Sequence, residues 1–199
     1  MTKPDFTVEI DVRATLRDLD KLARKQAPFA VALALTMTAK DAQAEVKRTL
    51  PEKFTIRTPW VAKGIRIEPA RKSDWPRVRS AVLSKNKFMA LQEFGGTKTG
   101  KSGGSVAVPA GARKTPRQTT PRSRWPGALL KRGAFILKTA RGPAIARRRG
   151  AGVQILYGLE RAVRIKPRFA MGATVKKVAA ETFAKNFETA LARAMRTAR

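Results

Sequence analysis

Apolar and polar residues alternate at two distinct periods along this chain. Phe6, Val8, Ile10 and Val12 recur every second residue, the period of a strand. Leu16, Leu19, Leu22 and Ala23 then fall at helical spacing, with Thr15 placed to cap and Asp18 and Asp20 near the positive helix end. Pro28 is either the first residue of a second helix or a kink in one long helix. Beyond it Val31, Leu35, Ala39, Ala42 and Val46 keep one face apolar to about Thr49, and Leu50-Pro51 is expected to stop the run.

Short apolar runs follow. Phe54–Ile56, Ile65–Ile67, Val78–Leu83, Val106–Val108, Phe135–Leu137, Val153–Tyr157 and Val163–Ile165 read as strands, and Lys87–Phe94 as a helical turn ended by Gly95 and Gly96. At the far end Val175, Ala179, Phe183, Phe187, Leu191 and Met195 lie four apart, flanked by Val178, Ala190 and Ala194, which makes an amphipathic helix. Strands gathered between terminal helices predict an α+β fold with a mostly antiparallel sheet, a long N-terminal helix and a C-terminal amphipathic helix.

Composition narrows the core. Apolar residues make up 43% of 199, but 32 of them are Ala. Leu, Ile, Val and Phe number 44, just above the roughly one-fifth of a chain below which a highly charged sequence stays disordered. Part of the chain is therefore expected outside the core. The Gly-rich run Gly95–Gly104, followed by Pro109, Pro116, Pro121 and Pro126, reads as a long loop or arm interrupted by one short strand. The expected division is one α+β domain from residues 1–94 and 127–199, with 95–126 as a basic insertion.

Charge singles out the same region. The chain carries 43 basic and 14 acidic residues, a net charge of +29. Between Glu93 and Glu160 there are 14 basic residues and no carboxylate. A one-sign stretch of this length repels itself and calls for a polyanion or an acidic protein surface. The candidate contact residues are Lys98, Lys101, Arg113, Lys114, Arg117, Arg122 and Arg124 on the arm, and the triplet Arg147, Arg148 and Arg149 beside Gly150. Trp125 is the arm's one aromatic, too few for a ladder of stacked bases, so sequence-independent phosphate contact is expected rather than base readout. DNA and acidic protein neighbours remain equal alternatives on these residues alone.

Catalysis finds little material. The chain has no Cys and no His, which excludes disulfides, thiolate nucleophiles, a histidine base and zinc sites built on those residues. Glu93 and Glu160 are candidate acids without a close carboxylate partner. Gly95, Gly100, Lys101 and Ser102 satisfy the spacing of a phosphate-binding loop. However, Gly103 and Gly104 follow where a helix must begin, and every Asp lies at or before Asp74. A chance match is the expectation, and with it no enzyme, cofactor or metal. Phe29–Met37 is too short for a membrane span, and a soluble cytoplasmic protein is expected. Trp60 and Trp75, each beside a proline, are expected as core anchors, with an interface role as the alternative.

Several strings resemble the minor tail protein Z family of tailed bacteriophages, also called tail completion proteins. They are ALTMTAKDAQ (Ala34–Gln43) in the Ala-rich helix, FTIRTPWVAKGIRI (Phe54–Ile67), LQEFGG (Leu91–Gly96) and VAVP (Val106–Pro109), followed by the C-terminal helix. The likeness covers most of the chain, with 97–126 least constrained. It implies a non-enzymatic virion protein at the head-proximal end of the tail, joining tail to head and helping to position the genome end. The implied fold is α+β. The implied partners are further copies in a ring, for which a hexamer is the number natural to a tail tube, and tail-tube, terminator and head-connector proteins; the basic arm is expected to contact these or packaged DNA, and no membrane is expected because no run is long enough to span one. The family supplies no catalytic residue to carry over. A cellular, non-specific nucleic-acid-binding protein is the alternative.

Overall fold

The computed structural model describes residues 5–8, 21–56, 58–112 and 120–197. The fold is α+β, and among the described residues every strand pairing is antiparallel. The first part of the chain runs β1 (Asp5–Val8), α1 (Lys21–Lys53), α2 (Trp60–Lys63), β2 (Ile65–Glu68), β3 (Ser80–Ser84) and α3 (Met89–Phe94). There follow β4 (Gly96–Thr99), β5 (Val106–Pro109), α4 (Pro126–Leu130), β6 (Phe135–Thr139), β7 (Gly142–Arg149), β8 (Gly152–Glu160), β9 (Ala162–Ile165) and α5 (Met171–Arg196). Thr15, Leu16, Asp18, Leu19 and Asp20, which open the first expected helix, lie outside the described residues, as do Ile10 and Val12 of the first strand.

The chain divides into two compact units. A helical unit comprises Met1–Phe94 and Pro167–Arg199, and a sheet unit comprises Gly95–Lys166. This corrects the division expected from sequence, which placed 127–166 with the helices and left 95–126 as an arm. The reason is strand pairing. β5 pairs with β8, and β4 with β9, so the Gly- and Pro-punctuated segment is tied to the hairpins that follow it. Two antiparallel sheets result within this unit, a four-stranded one in the order β5-β8-β7-β6 and the ribbon β4-β9.

In the helical unit, α1 and α5 pack in opposite directions. Ala30, Ala34 and Leu35 of early α1 meet Phe187, Ala190 and Ala194 of late α5. Ala42, Val46 and Leu50 of late α1 share a cluster with Met171 and Val175 of early α5. Ala at 30, 34, 42, 190 and 194 is completely buried. Side chains this small let the helix backbones approach closely, and the larger Leu, Ile, Val and Phe then fill the remaining space at about 1.5–3 kcal/mol each. The three-stranded sheet β1-β3-β2 lies against α1, with Ile65 and Val82 buried beneath it.

A polar side chain reaches across this interface. The Asn186 side-chain amide donates to Thr38 Oγ1 at 3.1 Å and to Asp41 Oδ2 at 2.8 Å. It marks one register between the helices, because sliding either helix would strand a buried amide. Pro28 lies inside a continuous α1, and Pro51 sits in its last turn, two residues before the end at Lys53. The helix thus outruns the expected stop, its last turn closed by Phe54 N donating to Leu50 O at 3.0 Å. Phe54–Ile56 is not a strand. Phe54 instead sets its ring edge-on to Phe169, with centroids 5.9 Å apart.

Helix α5 begins without a capping side chain of its own. Ala170 holds the N-cap position with φ 50° and ψ 39°, a left-handed conformation. The two free N–H groups of Met171 and Gly172 donate to the carboxylate of Glu93, at 2.7 and 3.0 Å. A carboxylate there meets unpaired donors and the positive end of the helix dipole together. Glu93, a candidate acid from sequence, therefore caps a helix from a distance of 78 residues.

Candidate polyanion site

The triplet Arg147–Arg149 lies at the end of β7, just before the hairpin turn at Gly150, whose φ of 58° suits a glycine. Side chains alternate across a strand, so Arg147 and Arg149 share one face and Arg148 takes the other. Arg147 pairs in register with Gln154 of β8, Arg148 with Val153 and Arg149 with Gly152. The Gln154 side-chain oxygen accepts from Arg147 Nε at 3.3 Å and Nη2 at 3.2 Å, which holds that guanidinium over the sheet.

A bulge between β7 and β8 shapes the floor. The register shifts at Ile145/Ala146, leaving Leu156 as the extra residue on β8. Its carbonyl accepts from the N–H groups of Ala110, Gly111 and Ala112, at 3.0, 3.2 and 3.1 Å. The chain beyond β5 is thereby drawn down over β8. A Cβ at Gly111 would lie 2.4 Å from the Ile155 carbonyl oxygen, so only glycine fits this approach.

The third wall comes from residues 122–124, a 3₁₀ turn. Tyr157, buried on β8, donates its hydroxyl to the Arg124 carbonyl at 2.8 Å and anchors the turn. Trp125 follows, half exposed at 52%, its indole N–H donating to Thr120 O at 3.0 Å. The Arg122 guanidinium stands 5.9 Å from the Trp125 ring.

These elements line an open cavity of about 440 Å³. Arg124, Arg147 and Arg149 give it three guanidinium groups, and none of its described lining residues is a carboxylate. Leu129, half-buried, provides apolar surface beside the nearly buried Ala112 and Leu156. The sheet unit as a whole holds 17 basic residues and one acid, Glu160, over 95–166. With so little carboxylate in the unit, the guanidiniums are a standing source of positive potential. The contrast lies on α1, where the Arg48 guanidinium hydrogen-bonds both oxygens of Glu45 at 2.7 Å and holds that carboxyl below its ordinary pKa.

Of the ten cations singled out from sequence, three line this cavity. Arg148 sits on the opposite face, and Arg122 beside Trp125. Lys98 lies exposed on the β4-β9 ribbon, and Lys101 opens a separate 3₁₀ turn. Arg113, Lys114 and Arg117 lie outside the described residues. Gln154 and the apolar floor escaped the sequence reading, because their place depends on strand register and on the bulge.

Lys101–Gly103 forms a single 3₁₀ turn that leads through Gly104 into β5, so no helix begins at the lysine of the phosphate-loop match. Among the described residues no group of three carboxylates is placed to hold a metal ion, and no helix is long and apolar enough to cross a membrane. Trp60 and Trp75 are exposed by 53% and 38%, which overturns their expected place in the core. Trp60 stacks at a tilt on Phe88, itself exposed, with centroids 5.7 Å apart. Comparison with known protein families, with curated proteins and with solved structures finds no match.

Proposed function

We propose that this chain is a structural component of a tailed-phage virion. It completes the tail and joins it to the head at the head-proximal end, without enzymatic activity. Copies of the chain form a ring against tail-tube, terminator and head-connector proteins. The basic residues of the sheet unit face the packaged genome end or an acidic neighbour.

One observation carries the reading: the stretch Gly95–Lys166, which holds 17 cations and one carboxylate. Its self-repulsion is relieved in surroundings of opposite charge, and a site beside packaged DNA supplies them. The likeness of Ala34–Gln43, Phe54–Ile67, Leu91–Gly96 and Val106–Pro109 to tail completion proteins supplies the particular setting. Peptide mass spectrometry of purified particles tests it. The chain is expected among virion proteins at a ring's copy number, and its absence from particles overturns the proposal.

The three-guanidinium cavity favours one rival, a cellular protein that binds nucleic acid without sequence preference. That reading requires the free chain to bind unrelated DNA and RNA sequences alike, with a steep salt dependence. It also requires the chain in cells that carry no phage particles.

A further inference from the structure

We propose that the cavity walled by Arg124, Arg147 and Arg149 holds one unpaired nucleotide of a single-stranded nucleic acid. The phosphate would sit on the guanidinium forks, and the sugar and base on the floor of Ala112, Leu129 and Leu156. This deepens the reading that the sheet unit meets a polyanion, and it is independent of the chain's place in a virion.

Three features favour a nucleotide over other anions. The first is donor geometry. Arg147 and Arg149 rise from the same face of one strand, about 7 Å apart along it, and Gln154 holds one of the two forks. Planar forks match the paired oxygens of a phosphate better than a point charge does. The second is size. A cavity of about 440 Å³ falls in the range of small-molecule sites, roughly 300–1,000 Å³. A lone phosphate or a glutamate carboxylate would leave most of it unfilled, and neither makes use of the apolar floor. The third is Trp125, which follows Arg124 directly and is half exposed. A flat ring beside cations suits stacking by a neighbouring base. A base inside a duplex is already paired and stacked, so the ligand is single-stranded.

The test is fluorescence anisotropy of the full chain with a labelled ten-nucleotide thymidine strand over a series of salt concentrations. Replacing both wall residues, Arg147→Ala with Arg149→Ala, is expected to weaken binding by about tenfold or more. The salt slope should fall by about 0.7 for each phosphate that is no longer neutralised. A charge-matched control, Lys138→Ala with Arg141→Ala outside the cavity, is expected to weaken binding only about threefold or less. Should the alanine pair disturb folding, judged by circular dichroism, the pair Arg147→Lys and Arg149→Lys keeps the charge and removes the forks. It is expected to weaken binding more than the control does.

Four results would overturn the proposal. The control pair could weaken binding as much as the wall pair, leaving only a diffuse field. A duplex of equal length could bind as tightly and depend equally on the wall residues. Inorganic phosphate at millimolar concentration could displace the strand, marking a free-phosphate site. A decameric glutamate peptide could compete as well as unlabelled strand, marking an acidic-protein site. None of these touches the virion proposal, which particle composition decides separately.

Discussion

Among the described residues, two adjoining apolar clusters of the helical unit hold eleven and nine buried residues, whereas the apolar cluster of the sheet unit holds four: Ala112, Ile145, Leu156 and Tyr157. Charge runs the other way. The helical unit sets 13 acidic residues against 26 basic ones, and pairs Arg48 with Glu45 and Glu52, and Lys177 with Glu181. The sheet unit sets one against 17. The smaller core thus carries the stronger self-repulsion, and its order rests more on backbone pairing. Buried side chains hold one unit together, whereas in the other strand pairing works against like charge.

Substitutions in each unit can break this contrast. The largest effect is expected at Phe169, 2% exposed among Phe54, Leu50 and Met171. Phe169→Ala should cost about 3–5 kcal/mol. Hydrogen exchange followed by mass spectrometry should show amides of α1 and α5 losing protection while those of β7 and β8 keep theirs. Equal loss in both units would mean one cooperative structure and end the contrast.

Gly111 offers the reverse experiment. An alanine there drives its Cβ into the Ile155 carbonyl oxygen at 2.4 Å, at a cost of about 1–3 kcal/mol. Exchange should quicken in β5 and β8 and stay unchanged in α5. Because Gly111 also lines the cavity, binding of the thymidine strand should weaken in the same variant.

The smallest effect is expected at Glu93. Glu93→Ala removes the acceptor for Met171 and Gly172 N–H and should cost about 0.5–2 kcal/mol. The loss should appear as fraying of the first turn of α5. A stability unchanged within error would show that water caps this helix as well as the carboxylate does.

Much of the scaffold was legible in residue order. Helices α1 and α5 announce themselves because an apolar stripe at four-residue spacing can be buried only by a helix. Val31, Leu35, Ala39, Ala42 and Val46 are all buried, as are Val175, Ala179, Phe187, Ala190 and Ala194, whereas Phe183, Leu191 and Met195 of the expected stripe are half-buried. Short apolar runs bounded by polar, Gly and Pro residues marked β2, β3, β5, β6, β8 and β9. The concentration of cations between Glu93 and Glu160 needs no coordinates at all.

Other features exist only through distant pairing. β4 (Gly-Thr-Lys-Thr) has no apolar residue to signal a strand, and forms because β9 supplies its hydrogen bonds. β7 mixes Pro, Ala and Arg, and is a strand because β6 and β8 flank it. The same pairings moved the boundary between units from residue 127 to Lys166. The cavity depends on register most of all. Slipping β7 by one residue would turn Arg147 and Arg149 to the opposite face and bring Arg148 inward. Residue order places three arginines side by side. Which two of them face the same cavity as Arg124 follows from hydrogen bonds to residues that local sequence never meets.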